Sequence, residues 1–481
     1  MVITMNYRMI RNILGWLLLF EAGFMVVPLI TGICYREPAL WSFLITIVFC
    51  ASIGGLCILK KPQDSVLYAR EGFIIVSLSW IALSLFGALP FVISGAIPNY
   101  LDAVFETVSG FTTTGASILS EVESLPKCML MWRSFTHWVG GMGVLVFIMA
   151  FVPLSGGQNM HIMKAESPGP SVSKLVPRVK TTALILYSIY LAMTFIQFVL
   201  LLCGGMNVFE SLCTAFGTAG TGGFGFRNDS FASFSPYIQW VVTIFMLLFS
   251  VNFSCYYLFL IGRFKDAFNA ELRRFIVVVG TVILIVTLNV RGFFDTLGDT
   301  VRHVAFTVAS LISTSGFSTE NFDAWPELSR TLLVLIMFIG ACAGSTGGGL
   351  KISRLMILFR GAFNEIGSMI FPRRVKRVTV DGHPVDREVV RATNVYMMWY
   401  LLLFVASIIL ISFDDHDLIT NFTAVTATIN NIGPGLGDVG PTGNFAFFSA
   451  PSKLVLIFDM LAGRLELFPM LVLFTPATWK K

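Results

Sequence analysis

The sequence has little charge for its length. Only 13% of its 481 residues are Asp, Glu, Lys or Arg, and 55% are hydrophobic, whereas soluble domains carry about 25% charged residues. A soluble core does not hide this much apolar surface behind so few charges. The shortage of charge therefore excludes an ordinary soluble domain and predicts a polytopic membrane protein.

The usual residue patterns of disulfide frameworks and metal centres are also missing. The eight cysteines contain no CxxC pair, and the five histidines form no cluster with the spacing of metal ligands. Most of the cysteines fall in apolar runs, where cysteine serves as a small core residue. These patterns argue against a disulfide framework and against a zinc site.

Long apolar runs are what the sequence has in quantity. Ten of them approach the roughly 20 residues that cross a hydrocarbon core. The first run is too long for a secretory signal and lacks a small-residue cleavage site, so we expect it to remain as the first helix. The ten predicted spans lie near residues 12–34, 41–59, 72–97, 129–153, 181–204, 237–261, 275–294, 331–358, 393–413 and 452–474.

The basic residues predict how these spans are oriented. Ten spans place both termini on one side, and a cytoplasmic N-terminus puts 24 of the 33 Lys and Arg in cytoplasmic segments, as the positive-inside rule requires. The basic run RRVKR (373–377) then belongs to a short cytoplasmic loop beside a helix. That position favours a topological role for the run over nucleic-acid binding.

Four segments on the predicted outer side share one pattern. Each has a short helix-compatible stretch, too short to cross, followed by a break rich in Thr, Ser, Asn and Gly and then by another span. Aligned on one glycine, the breaks are spaced by 107, 94 and 117 residues, which indicates a four-fold internal repeat. The aligned triplets are Thr113-Thr114-Gly115, Gly220-Thr221-Gly222, Thr314-Ser315-Gly316 and Asn431-Ile432-Gly433.

The repeated breaks favour a cation path. Irregular backbone lies at membrane depth only where protein or a water-filled path shields it, and four such loops most economically share one axis. The negative ends of the short helices would then point at that axis. The breaks contain no charged side chain, so the ligands would be carbonyl and hydroxyl oxygens, as in potassium filters. The alternative is four hairpins with ordinary glycine caps.

The stretch IGACAGSTGGGLKISR (339–354) first suggests a phosphate-binding loop. A Walker-type loop needs Gly-Lys-Ser/Thr in succession, but Leu350 separates Gly349 from Lys351, which disfavours a nucleotide-hydrolysing enzyme. The nine residues before Gly340 (331–339), as a helix, rise about 14 Å. We therefore expect the glycines to lie near the membrane midplane, beneath the four loops. We predict a gate formed by Gly340, Ala341, Cys342, Ala343, Gly344, Ser345, Thr346, Gly347, Gly348, Gly349 and Lys351.

Arg464 is the predicted partner of this gate. An arginine within a span normally faces a partner or a wet cavity. Glu466 is two residues away and points to a different helix face, so we expect another element to supply carbonyls or a counter-charge. Snorkelling of Arg464 to the inner interface is the alternative.

These motifs resemble the membrane subunit of the Trk/Ktr/HKT superfamily of potassium transporters, in particular its Trk branch, which has two extra N-terminal helices. The similarity also rests on WRSFTHWVGGMGVLVF (132–147), NNIGPGLG (430–437) and AGRLELFP (462–469). It implies that the twelve triplet residues form a potassium filter, with potassium as the bound ion and no organic cofactor. Glycine at all four aligned positions favours potassium, whereas Gly220 and Gly225 stand where hydroxyl residues are expected.

The same resemblance implies the assembly. It implies a homodimer with one path in each protomer, and a cytosolic ring of nucleotide-binding, RCK-type regulatory subunits. We expect a bacterial inner-membrane protein with both termini in the cytoplasm, in contact with lipid and not with nucleic acid. A proton- or sodium-coupled potassium symporter on the same frame is the alternative, for which Asp459 and Glu466 are the candidate acidic residues.

The predicted fold class is an all-α polytopic membrane protein with ten transmembrane helices, and no enzymatic function is expected. Two N-terminal helices stand outside four helix–loop–helix units that surround one ion path. The predicted domains are residues 1–70 (the two N-terminal helices), 71–160, 161–265, 266–360 and 361–481 (the four units, the last with the basic cytoplasmic loop).

Overall fold

The computed structural model describes residues 5–60, 68–143, 179–371 and 377–479. These residues are mostly helical, and the strands among them are Thr379–Val380 and His383–Pro384, which form one antiparallel hairpin. The predicted all-α class is therefore confirmed. The predicted boundary at residue 160, the end of the fourth span and most of the basic run lie outside the described residues.

The helices follow one another through the whole described chain, with four short 3-10 turns between them. In chain order they are α1 (Tyr7–Phe24), α2 (Val26–Tyr35), α3 (Leu40–Ile58), α4 (Ala69–Gly87), α5 (Leu89–Ser94), α6 (Tyr100–Phe111), α7 (Lys127–Gly141), α8 (Val179–Cys203), α9 (Val208–Gly220), α10 (Pro236–Phe249), α11 (Phe253–Leu260), α12 (Phe264–Ala267), α13 (Ala270–Asn289), α14 (Leu297–Ile312), α15 (Glu327–Phe338), α16 (Ile352–Ile370), α17 (Arg387–Ile411), α18 (Leu418–Ile429), α19 (Ala450–Arg464), α20 (Phe468–Phe474) and α21 (Pro476–Trp479). The 3-10 turns are Arg291–Phe293, Phe322–Ala324, Ser412–Asp414 and Gly437–Val439.

Many of these helices are strongly apolar. Within the described ranges, five helical segments are long and apolar enough to cross a membrane, and a bent pair adds a sixth. The predicted number of ten spans stays a prediction, because several of the predicted runs are interrupted by irregular backbone.

Two runs that we predicted as continuous helices are broken. The run near 237–261 consists of α10 and α11, which meet at 91°. Asn252 caps α11 by accepting a 2.8 Å bond from the Ser254 amide, and the Phe253 amide donates to the Gly344 carbonyl. The last run ends as a helix at Arg464, and Glu466 and Leu467 adopt φ angles of 56° and 66°. Arg464 is thus the last residue of α19, at a break within the predicted run, and not in the middle of a helix.

The predicted interruption of the eighth run is present. The helix α15 ends at Phe338, and α16 begins at Ile352. We call residues 339–351 the inner loop. Its two ends meet, because the Gly340 amide donates a 2.8 Å bond to the Leu350 carbonyl.

Four short helices, α6, α9, α14 and α18, precede the predicted breaks. Each begins at a side chain that accepts from an amide of the first turn, as an N-cap does. Their faces are buried nearly all round, and several of their threonines bond to carbonyls of the preceding turn, as Thr107, Thr218 and Thr428 do. Polar side chains are thereby accommodated in an apolar surrounding. The N-cap residues are Asn99, Asn207, Thr296 and Asp417.

The short helices and the helices that follow them form a closed ring. The helix α7 packs on α6 and α9, α10 packs on α9 and α14, and α15 packs on α14 and α18. The helix α19 then packs on α18 and on α6, which returns to the start. The N-terminal helices lie outside this ring, where α1 contacts α3 and α4 and α2 contacts α7.

Candidate ion path

The four breaks adopt one backbone conformation. After each short helix, one residue has a left-handed φ near 55°, and a glycine two residues later has a φ between 78° and 100°. The amide between them donates to the carbonyl five residues earlier in all four cases, a Schellman-type helix ending. We call these segments the glycine loops. Their central triplets are Thr113-Thr114-Gly115, Thr221-Gly222-Gly223, Thr314-Ser315-Gly316 and Asn431-Ile432-Gly433.

This conformation corrects the predicted alignment of the second loop by one residue. Gly223, with a φ of 84°, is the counterpart of Gly115, and Gly220 is the last residue of α9. Thr221 therefore supplies the hydroxyl that the earlier alignment lacked at the first triplet position. Gly222 is a glycine for another reason, because an added Cβ there would overlap the ring of His137.

Each loop glycine lies against a carbonyl of the next loop. A Cβ at Gly115 would overlap the carbonyl oxygen of Gly222, and the same holds for Gly223 with Ser315. Gly316 lies in this way against Ile432, and Gly433 closes the ring, because its Cβ would be 2.8 Å from the carbonyl oxygen of Thr114. The four loops thus surround one axis, and only a residue without a side chain fits these positions.

The oxygens of the loops belong to carbonyl, hydroxyl and amide groups and carry no net charge. Thr114 Oγ1 accepts a 2.9 Å bond from Asn431 Nδ2, which joins the first loop to the fourth. Thr113 Oγ1 has no hydrogen-bond partner among the described residues. Carbonyl and hydroxyl oxygens at the negative ends of four helices favour a cation of low charge.

One cleft gives access to all four loops. It has a volume of about 190 Å³, is open to solvent, and is lined further by Arg227, Asn228 and Thr442. This cleft therefore leads to the axis that the loops surround. All four loop glycines line the cleft, namely Gly115, Gly223, Gly316 and Gly433.

The inner loop packs directly against two of the glycine loops. The Gly348 amide donates a 2.7 Å bond to Thr314 Oγ1. A Cβ at Gly347 would be 3.0 Å from the Ser313 carbonyl oxygen, and one at Gly348 would be 2.5 Å from that of Asn430. Small residues are needed here because backbone meets backbone.

Long side chains hold the inner loop in place. Arg464 donates to the Thr346 carbonyl at 2.8 Å and to the Gly140 and Gly141 carbonyls at 2.5 and 2.7 Å. It therefore joins the loop to the end of α7, and carbonyls serve as its partners, as we predicted. Lys351 is buried, and its Nζ donates to the carbonyls of Gly347 and Gly348 in the loop itself.

Two further contacts fix the ends of the inner loop. Glu271 of α13 accepts bonds from the Ala343 and Ser353 amides at 2.8 and 3.2 Å. Arg354 forms an ion pair with Glu466, just beyond Arg464. Neither contact was predicted, because the partners are distant in the sequence. The sequence does show ionisable residues in or beside apolar runs. Because an ionisable side chain in such a place needs a partner, their presence could have indicated that contacts of this kind exist.

The ring of helices and loops defines a class of protein: a helical membrane protein in which four related units surround one axis lined by neutral oxygens. The model of the TrkH family, described as "Cation transport protein", matches residues 40–481. The chain belongs to this family, and the resemblance noted from its motifs is confirmed.

Named relatives cover the whole chain. The chain is 36% identical to "Trk system potassium uptake protein TrkH" of Salmonella typhimurium, over 99% of this chain and 100% of that protein. It is 32% identical to "Trk system potassium uptake protein TrkG" of Escherichia coli, over 99% of each. Its fold matches the crystal structure of the potassium transporter TrkH from Vibrio parahaemolyticus with a TM-score of 0.89 and 33% identity, over 99% of this chain and 100% of that one.

Proposed function

We propose that the chain carries potassium ions into the cell through the axis surrounded by the glycine loops. The observation that carries this proposal is the closed ring in which each loop glycine lies against a carbonyl of the next loop. The relatives named above are potassium uptake proteins. The filter would consist of the four corrected triplets, entered from the open cleft.

The chemistry of the ring suits a monovalent cation. Carbonyl oxygens replace the water shell of a potassium ion when they are held at fixed positions around it. Neutral ligands bind a singly charged ion weakly enough to release it again, whereas a ring of carboxylates would hold divalent ions. Potassium is thus the transported ion, the protein is a transporter and not an enzyme, and no organic cofactor is needed.

The inner loop would be the gate. It lies against the inner ends of two glycine loops, and its associated side chains Lys351 and Arg464 bring positive charge to the path. A positive charge there raises the energy of a passing cation. Opening would require the loop to leave the glycine loops, which the contacts of Arg464 oppose. Residues 340–349 with Lys351 and Arg464 form this proposed gate.

Control would come from the cytoplasm. We place the protein in the bacterial inner membrane as a homodimer with both termini inside, and with a path in each protomer. A cytosolic ring of nucleotide-binding RCK-type subunits would bind the basic inner segments. The helix α16 leads from the inner loop toward those segments, so movement of that helix would reach the gate.

A coupled potassium symporter is the second candidate. Asp459 favours it, because this carboxyl is fully buried, accepts one bond from Ser407 at 2.7 Å, and has a second oxygen without a partner among the described residues. A buried carboxyl of this kind suits proton transfer. Reversal potentials that move with pH would support coupling, and potentials that follow potassium alone would exclude it.

The test is ion flux into liposomes that contain the purified protein. We expect potassium and rubidium to pass faster than sodium, and Gly115→Ser to lower the ratio of potassium to sodium flux. The added side chain would displace the Gly222 carbonyl. Gly95→Ser is the matched control, because Gly95 also has a positive φ of 76° but has open space around it. Equal sodium and potassium flux through the unchanged protein would refute the proposal.

A further inference from the structure

Two buried side chains of α7 face the joint between the first and second glycine loops. Arg133 and His137 are four residues apart, so they lie on the same face of the helix. Their exposures are 2% and 0%, although arginine is rarely buried. This face lies between α6 and α9, the short helices of the two neighbouring units.

Arg133 joins the segments that leave the two loops. It forms an ion pair with Glu106 of α6 at 2.8 Å and donates through Nη1 to the Gly225 carbonyl at 3.0 Å. Its guanidinium also lies 4.1 Å from the ring centre of Phe224. Glu106 in turn accepts from the Ile118 amide at 3.1 Å. One ion pair therefore contacts the chain just after Gly115 and just after Gly223.

His137 joins the same two units one turn further along. Its Nδ1 is 2.7 Å from the Gly110 carbonyl oxygen, and its Nε2 accepts a 3.1 Å bond from the Phe224 amide. Because Nε2 accepts, the ring proton is on Nδ1 and the imidazole is neutral. The ring also fills the space beside Gly222. It thereby sets the position of the residue whose carbonyl meets Gly115.

The fourth unit has no charged or imidazole side chain at the positions equivalent to Glu106, Arg133 and His137. Gly140 lies against the Phe111 carbonyl, and Gly463 lies against the Ile429 carbonyl. Phe111 and Ile429 are each four residues before a loop glycine, so the two contacts are equivalent. This correspondence aligns Arg133 with Leu456 and His137 with Met460, while Glu106 aligns with Ala424. At these three aligned positions the fourth unit therefore has apolar residues. Buried ion pairs contribute little net stability compared with apolar packing, so the charged joint calls for another role.

We propose that Glu106, Arg133 and His137 are positioning residues that set the ion selectivity by fixing the first and second glycine loops relative to each other. The inference rests on the proposed potassium filter and adds to it an asymmetric, charged joint. The ion pair is neutral as a whole, so it holds the carbonyls without adding net charge beside the path. When it is loosened, the carbonyls approach a smaller ion, and sodium passes.

The experiment measures potassium and sodium flux in liposomes with the full-length protein. Glu106→Gln keeps the shape of the side chain but removes the charge that Arg133 binds, and His137→Phe keeps a ring but loses both hydrogen bonds. We expect the ratio of potassium to sodium flux to fall severalfold in both variants. Arg133→Lys should lower it as well, because an ammonium group cannot bond the carboxylate and the Gly225 carbonyl as a guanidinium does.

Lys453→Met is the matched control. Lys453 forms a 2.6 Å ion pair with Asp102, one turn before Glu106 on the same short helix, and is also buried. That pair is at the far end of α6 from the glycine loop, so its loss should leave the flux ratio unchanged. If Lys453→Met also lowered the ratio of potassium to sodium flux, the effect would come from general loosening of the helix packing, and the proposal would be overturned.

The outcomes separate this inference from the proposed function. An unchanged protein that passes both ions equally refutes the filter itself. A selective unchanged protein whose variants keep the same ratio refutes only the positioning role. Should Glu106→Gln fail to fold, Arg133→Lys decides by the same ratio, because it retains the buried charge.

Discussion

The molecule contains two kinds of glycine-rich irregular backbone, and they are held in different ways. The glycine loops are held chiefly by their own main chain, through the same helix ending four times and through contacts between neighbouring glycines and carbonyls. Side chains such as His137 and Asn431 add contacts between neighbouring loops. The inner loop occurs once. It is held mostly by side chains, those of Arg464 and Glu271 from other elements and that of Lys351 from the loop itself.

This difference separates a fixed structure from a releasable one. Main-chain contacts within a closed ring cannot be exchanged without breaking the ring, so the glycine loops are suited to hold ligands at constant distances. The contacts of the inner loop end in flexible side chains that can move away together. In the glycine loops, glycine therefore permits close packing of backbone against backbone. In the inner loop, it permits the same close packing and also lets the loop move away.

The largest effect is expected where a side chain enters the ring itself. Gly223→Ala should reduce potassium flux to that of empty liposomes, because the new Cβ would overlap the Ser315 carbonyl at a φ of 84°. Gly205→Ala is the control, since Gly205 has a φ of 89° and nothing near it. Normal potassium flux through Gly223→Ala would show that Gly223 lies outside the filter and that Gly222 is the counterpart of Gly115.

A shorter inner loop should have the next largest effect, in the opposite direction. Removal of residues 345–347 eliminates the Thr346 and Gly347 carbonyls, to which Arg464 and Lys351 donate. We expect the basal potassium flux, measured without a cytosolic partner, to rise severalfold. The potassium-to-sodium ratio should stay unchanged, because the glycine loops are intact. A folded deletion variant that conducts no faster would argue against a gate here.

The sequence predicted these two kinds of backbone to different degrees. The apolar runs, the repeated breaks and the interruption at residues 340–349 are local patterns, and the structure has irregular backbone at each break. The alignment of the second loop was wrong because Gly220, Gly222 and Gly223 are the same residue type. Only the φ of Gly223 and the ring of His137 distinguish them.

Distant contacts account for the other differences. The run near 237–261 is mostly apolar, and its polar residues at the break, Ser250, Asn252 and Ser254, do not by themselves predict a bend of 91°. The bend is stabilised by a carbonyl of the inner loop, that of Gly344, which accepts from the Phe253 amide. The ion pair of Arg354 with Glu466 likewise joins residues 112 positions apart. Composition and periodicity carry no information about such pairs.

The smallest of the expected effects comes from a single contact of the inner loop. Arg464→Met should raise basal potassium flux less than the deletion does, because the contacts of Lys351 and Glu271 remain. Arg464→Lys should fall between Arg464→Met and the unchanged protein, since an ammonium group lacks the planar fork that now reaches both the inner loop and the end of α7.

Arg263→Met is the control for lost positive charge, because that side chain is 63% exposed and its ion-pair partner among the described residues is the nearby Asp266. Flux through Arg464→Met that equals the unchanged protein would remove this arginine from the gate. Flux through Arg464→Lys that equals the unchanged protein would show that charge alone closes the path. In that case the link that Arg464 makes between the inner loop and α7 would be a packing contact only. Lys351 and Glu271 would then be the side chains that hold the inner loop closed and let it move away.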